Sequence, residues 1–159
     1  MIRAAVLTIS DSSHQGTRED KSGPAIAARL TELGWIVVHT EILPDDRTRI
    51  AARFRDLADT NQANLILATG GTGVAQRDVT PEALRDVLHK EIPGLGEQMR
   101  AEGLKATPLA PLSRSLGATR AQSLIVCLPG SPKGALESLN AIVKLIPHIV
   151  DLLEGRTGH

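Results

Sequence analysis

The stretch Asn64-Leu65-Ile66-Leu67-Ala68-Thr69-Gly70-Gly71-Thr72-Gly73, closed by Arg77-Asp78-Val79-Thr80-Pro81-Glu82-Ala83, decides how this chain is read. Asn64 to Ala68 reads as a buried strand. Thr80-Pro81-Glu82 reads as a helix start, with Thr80 as N-cap, Pro81 at the first helical position and an acid in the first turn. That helix should run to about His89. A strand entering a glycine-rich turn and then a helix presents backbone N–H groups and a positive dipole end to an anion. Asp78 stands in the same turn, where a carboxylate repels a phosphate unless a cation lies between them. Phosphate plus magnesium reconciles the two.

On either side of this segment, strands and helices alternate. The first strand runs from Arg3 to Ser10, and a polar loop follows from Asp11 to Gly23. Pro24 to Leu33 reads as an amphipathic helix, and Ile36 to Leu43 as a strand. Arg47 to Thr60 places Ile50, Phe54, Leu57 and Ala58 at helical spacing. Downstream, Leu95 to Leu104 reads as helix, Thr107 to Ala121 as irregular, and Ser123 to Leu128 as the last strand. Helical pattern returns through Leu136, Leu139, Ile142, Val143 and Ile146, with Pro147 kinking or restarting it. Near-continuous apolar runs such as Leu124-Ile125-Val126-Cys127-Leu128 belong to strands covered on both faces. The expectation is an α/β three-layer sandwich, a mostly parallel sheet with helices on both faces, formed by residues 1–159 as a single domain.

Composition narrows the function. The 159 residues carry 18 basic and 18 acidic side chains, so the basic excess of a nucleic-acid or anionic-membrane binder is missing. Trp35 and Phe54 are the only aromatics, too few for base-stacking platforms. Cys127 is the single cysteine and lies in an apolar strand, where it reads as inert core. The five histidines show no ligand spacing, and Ser10 has no evident triad partners. The apolar N-terminal run is too short for a signal-peptide core, and no stretch approaches a membrane span. The chain reads as cytoplasmic.

In an open parallel sheet, ligands bind beyond the carboxyl ends of the strands. Ser10-Asp11, Pro44-Asp45-Asp46, Gly70 to Gly73 and Gly130-Ser131-Pro132-Lys133 all fall at such ends. Converging carboxylates would repel a polyphosphate, whereas magnesium binds a few carboxylates together with phosphate oxygens. Lys21, Arg77, Arg114 and Lys133 are candidate phosphate partners. Each piece also has a plainer reading. A glycine turn can be only a turn, Gly130-Ser131-Pro132 can merely start a helix, and either Asp45 or Asp46 can cap the helix from Arg47. Asp78 is harder to explain that way, because Thr80 already supplies the cap.

The same residues resemble the signature of the molybdenum-cofactor biosynthesis domain, a family that includes bacterial molybdopterin adenylyltransferases and the N-terminal domain of gephyrin. The resemblance continues through Ser10-Asp11, Pro44-Asp45-Asp46, Pro93-Gly94-Leu95-Gly96-Glu97, Leu112-Ser113-Arg114 and Leu128-Pro129-Gly130-Ser131-Pro132-Lys133, from about Arg3 to Gly155. It implies transfer of AMP from ATP to molybdopterin with release of pyrophosphate, dependent on Mg2+. By position it implies catalytic roles for Asp45 and Asp78, with Asp78 also holding the metal. It implies a nucleotide cradle of Ser10, Asp11, Gly70, Gly71, Thr72 and Gly73. Ser113, Arg114, Ser115, Gly130 and Ser131 would face the pterin.

A homotrimer, and hand-off of product to a molybdate-inserting enzyme, are further implications of the resemblance. Leu95 stands where an aromatic is common in the family, and Ala118 and Ala121 stand where the gephyrin-like form has glycines. Two other roles compete with catalysis: a carrier that retains molybdopterin without turnover, and an accessory to molybdate insertion.

Overall fold

The computed structural model describes residues 1–158. Strand β1 (Arg3–Ile9) leads through the short helix α1 (Asp11–Gln15) to helix α2 (Ser22–Glu32) and strand β2 (Ile36–Leu43). Helix α3 (Arg47–Asp59), strand β3 (Leu65–Thr69) and helix α4 (Thr80–Arg85) follow. A small arm comes next, made of strand β4 (Lys90–Ile92), helix α5 (Pro93–Gly103), a 3-10 turn (Ala110–Leu112) and strand β5 (Leu116–Arg120). Strand β6 (Ser123–Leu128) and helices α6 (Pro132–Ile142) and α7 (Ile146–Leu153) finish the chain.

The sheet has six strands in the order β2-β1-β3-β6-β5-β4. The β2, β1, β3 and β6 pairings are parallel, and β5 and β4 add an antiparallel edge. Helices cover both faces, as expected. On one face Ile50, Phe54 and Leu57 of α3 and Ala83 and Leu84 of α4 pack on Leu7, Ile66 and Ile125. On the other, Ile26 and Leu30 of α2, Met99 of α5 and Leu139 and Ile142 of α6 pack on Val6, Leu67 and Val126. Each fully buried Leu, Ile or Phe contributes about 1.5–3 kcal/mol, which is what the apolar strands detected in the sequence supply. Cys127 is buried near the carboxyl end of β6, opposite Ala68 and Leu116. Burial pushes its thiol pKa far up, so it stays protonated and inert. Among the described residues no helix is long and apolar enough to cross a membrane.

Four local expectations need correction. The Asp11–Gly23 loop contains α1, a five-residue polar helix with no apolar stripe to betray it, and α2 starts at Ser22 rather than Pro24. The α4 helix stops at Arg85, well short of His89. The supposedly irregular Thr107–Ala121 segment holds β5, which pairs with β6 and with the unforeseen β4. Gly117 weakens the β5 signal, and its reason is tertiary, because Leu95 lies where a side chain at 117 would go. Finally, Thr80 is the first helical residue and caps nothing. Its hydroxyl instead donates to the Gly70 carbonyl at 2.8 Å.

Candidate active site

The carboxyl ends of β1, β2, β3 and β6 meet around one cleft of about 570 Å³. Ser10, Asp45, Gly70, Gly71, Asp78, Gly130 and Ser131 line it together with Thr8, Ser13, Thr69 and the Arg18–Ser22 loop. The sheet holds these ends tightly. The Gly70 N–H donates to the Leu128 carbonyl at 3.0 Å, and the Thr69 hydroxyl donates to Pro129 O at 2.6 Å. Gly70 sits at φ 109°, and a Cβ there would run into the Ile9 carbonyl oxygen. One at Gly71, φ 68°, would strike the Thr80 hydroxyl. Both positions thus require glycine. The backbone N–H groups of Gly71, Thr72 and Gly73 have no hydrogen-bond partner among the described residues, and of these three residues Gly71 lies on the cleft wall, where its N–H can receive an anion.

Asp45 and Asp46 divide their work. Asp46 caps α3 by accepting the Arg49 N–H at 3.1 Å, which frees Asp45 for the cleft. Asp45 and Asp11 bind each other's backbone: the Asp11 N–H donates to Asp45 Oδ2 and the Asp45 N–H to Asp11 Oδ1, both at 3.0 Å. Asp11 therefore stands behind Asp45 rather than on the cleft wall. Arg77 grips the same Asp11 with two hydrogen bonds, at 2.7 and 2.9 Å. These bonds hold the Asp11 carboxyl below the usual carboxylate range. Asp45 moves the other way. Burial chiefly raises its pKa, with the charges of Asp11 and Asp78 adding to the effect.

Asp78 accepts the Ala75 N–H on Oδ2 at 3.0 Å. Its Oδ1, like Asp45 Oδ1, has no hydrogen-bond donor among the described residues. No group of three or more His, Cys, Asp and Glu side chains among the described residues could enclose a metal by itself. Two carboxylates with a free oxygen each, beside unpaired backbone N–H groups, instead suit a magnesium that reaches the site with phosphate oxygens.

The other expected residues lie off the cleft wall. Thr72 is buried, and its carbonyl accepts the Arg114 N–H at 2.9 Å. The Ser113 and Ser115 hydroxyls are 2.9 Å apart. Ser113 faces a second cleft of about 270 Å³ between α5 and α6, lined also by Met99, Thr107, Pro129 and Ser131. Ser131 lines both clefts, so they adjoin across the start of α6. Lys133 is largely exposed and leans toward Glu137. The Arg18–Ser22 wall escaped sequence reasoning, apart from Lys21. Its one legible signal is the spacing of Asp20 to Gly23: Asp20 accepts the Gly23 N–H at 3.0 Å and the Thr8 hydroxyl at 2.8 Å.

Comparison with known proteins agrees with this geometry. Residues 5–148 match the family described as "probable molybdopterin binding domain". The chain is 44% identical to a molybdopterin adenylyltransferase of Helicobacter pylori J99, over 97% of this chain and 89% of that protein. It is 38% identical to the molybdopterin adenylyltransferase of Escherichia coli K12, over 97% and 86%. The crystal structure of the molybdopterin biosynthesis enzyme MoaB from Thermus thermophilus superposes with a TM-score of 0.91 at 45% identity, covering 98% of each chain. A strand-end cleft built on Gly70, Gly71, Asp45 and Asp78, together with these near-full-length likenesses, makes this chain a member of the molybdopterin-binding domain family of molybdenum-cofactor biosynthesis.

Proposed function

We propose that this chain is a molybdopterin adenylyltransferase, joining the AMP of ATP to the phosphate of molybdopterin and releasing pyrophosphate. The observation that carries the reading is the placement of Asp45 and Asp78 beside the open glycine turn, with a second cleft adjoining across Ser131. In the reaction, an oxygen of the pterin phosphate forms a bond to the α-phosphorus. The bond from that phosphorus to the bridging oxygen breaks, and pyrophosphate leaves with the electron pair. A phosphate monoester is already ionised near neutral pH, so no protein group has to remove a proton from the nucleophile. The protein's task is alignment and relief of repulsion between two anions.

The free N–H of Gly71 and the wall at Ser10 fit the nucleotide phosphates. Ser113 and Ser131 border the second cleft, the pterin side of this reading, while Gly130 lines the nucleotide cleft and Ser115 stands beside Ser113. Asp78, with Asp45 beside it, would hold magnesium. Held there, magnesium would supply positive charge against the phosphates and the departing pyrophosphate. Placing the reaction in the cytoplasm is part of this reading, and the fold, with its single buried Cys127, needs no disulfide. Edge strand β2 leaves Ile36, Val38 and Ile42 exposed, an apolar face in keeping with the homotrimer the resemblance implies. Hand-off of the adenylated pterin to a molybdate-inserting enzyme belongs to the same reading.

The test is pyrophosphate release from ATP and magnesium, with and without molybdopterin. Pterin-dependent release is expected. Tight pterin binding without release would leave a carrier or an insertion accessory instead.

Asp45 supplies a second prediction. Its folded-state pKa is raised, so the ionised form is the one that folding disfavours. The wild type therefore loses stability as pH rises through the Asp45 titration, and an amide has no such loss. Asp45→Asn keeps an acceptor for the Asp11 N–H. At pH 7 it should melt higher than the wild type while releasing less pyrophosphate. Lowering the pH into the carboxylate range should close the gap in melting temperature. A variant that melts lower at pH 7 would contradict the assignment.

A further inference from the structure

Arg114 resembles a pterin ligand by sequence position, yet its bonds point elsewhere. Its Nε donates to the Gly73 carbonyl at 2.8 Å, and its Nη2 donates to the Asp78 carbonyl at 2.9 Å. The outer edge of the fork is held by Glu82 of α4, with Nη1 to Oε2 at 2.6 Å and Nη2 to Oε1 at 3.0 Å. The Arg114 backbone N–H adds a bond to Thr72 O at 2.9 Å. All but one of the guanidinium N–H groups are engaged, so little remains to grip a phosphate. Glu82 answers in kind, since the hydrogen bonds from Arg114 hold its carboxyl below the usual range.

These bonds land on both ends of the loop that carries Asp78. Thr72 and Gly73 begin the loop, and Asp78 ends it. Inside the loop, Asp78 Oδ2 also holds the Ala75 N–H. A planar fork bonded to carbonyls at both ends fixes their separation in a way that a flexible ammonium cannot. We propose that Arg114 is a positioning residue that acts through Asp78, and that Glu82 keeps it in place. The Ser113–Ser115 turn beside the pterin cleft is thereby braced to the carboxylate on the nucleotide side. The far side of that turn is held separately by Arg100 of α5, whose Nη1 donates to the Ser115 carbonyl at 2.8 Å. The inference rests on the adenylyl-transfer reading for its kinetic consequence only.

The experiment compares the whole chain with Glu82→Gln and Arg114→Lys. It reads melting temperature, pyrophosphate release with ATP and molybdopterin varied in turn, and amide hydrogen exchange across residues 72–79. Both variants should lower kcat about tenfold to a hundredfold while KM for molybdopterin stays within about twofold, as expected for misplacement rather than lost binding. In both, the Ala75 amide should exchange about tenfold faster than in the wild type. A large rise in KM for molybdopterin at unchanged kcat would overturn the proposal and make Arg114 a pterin ligand. Unchanged kcat and exchange in Glu82→Gln would also overturn it. If the wild type releases no pyrophosphate, the adenylyl-transfer reading fails. Exchange at Ala75 then decides the brace alone: faster in both variants supports it, and unchanged overturns it.

Discussion

Asp78→Asn should fold like the wild type and lose about a hundredfold to a thousandfold in pterin-dependent pyrophosphate release, the scale of removing one fixed electrostatic partner from a phosphoryl-transfer site. Folding should survive because the amide oxygen can still accept the Ala75 N–H, and because Asp78 caps no helix. What disappears is a negative oxygen with no donor of its own, the feature that makes this carboxylate available to a cation. Raising the magnesium concentration should recover little, because the amide is a far weaker ligand for a hard cation. Activity within a fewfold of the wild type would remove Asp78 from the chemistry and leave Asp45 as the sole acidic candidate. Circular dichroism on the same sample separates loss of function from loss of fold.

Gly70→Ala should show the largest loss of stability among single methyl additions to the cleft. A methyl group there meets the Ile9 carbonyl oxygen, which belongs to β1 and cannot yield without parting the sheet. The φ of 109° adds backbone strain. Strain and overpacking together should cost about 3–5 kcal/mol, lowering the melting temperature by roughly 10 °C. The surroundings offer no relief. The Gly70 N–H is bonded to Leu128, its carbonyl receives the Thr80 hydroxyl, and Gly130 packs against its Cα. By contrast, Gly94 has open space around its would-be Cβ, so Gly94→Ala serves as the matched control. Equal melting temperatures for the two variants would show that β1 and β3 are looser than their register implies.

The parallel half of the sheet was legible because its strands are apolar throughout and each helix carries a clear stripe. The convergence of parallel strand ends is then enough to bring Ser10, Asp45, Asp78, Gly70 and Gly130 together. The antiparallel arm was not legible. Its strand β5 is spelled Leu116-Gly117-Ala118-Thr119-Arg120, whose small residues make sense only once Leu95 is seen lying over Gly117. Side-chain direction was the other gap. Nothing in the string shows that Arg77 turns back to Asp11, or that Arg114 turns to Glu82 rather than outward. The Thr80 error has the same origin. A threonine before a proline reads as a cap, but its hydroxyl found a closer acceptor ten residues upstream in Gly70.

The single sulfur of Cys127 has a use of its own. It sits in β6, the strand where the parallel and antiparallel parts of the sheet join, with β3 on one side and β5 on the other. Its side chain points to the face covered by α3 and α4, so a thiol reagent in solution can reach it only when that helix layer lifts off the sheet. The rate at which a native sample is labelled thus reports how often the α3–α4 layer parts from the sheet, with no introduced probe and no second cysteine to confuse the signal.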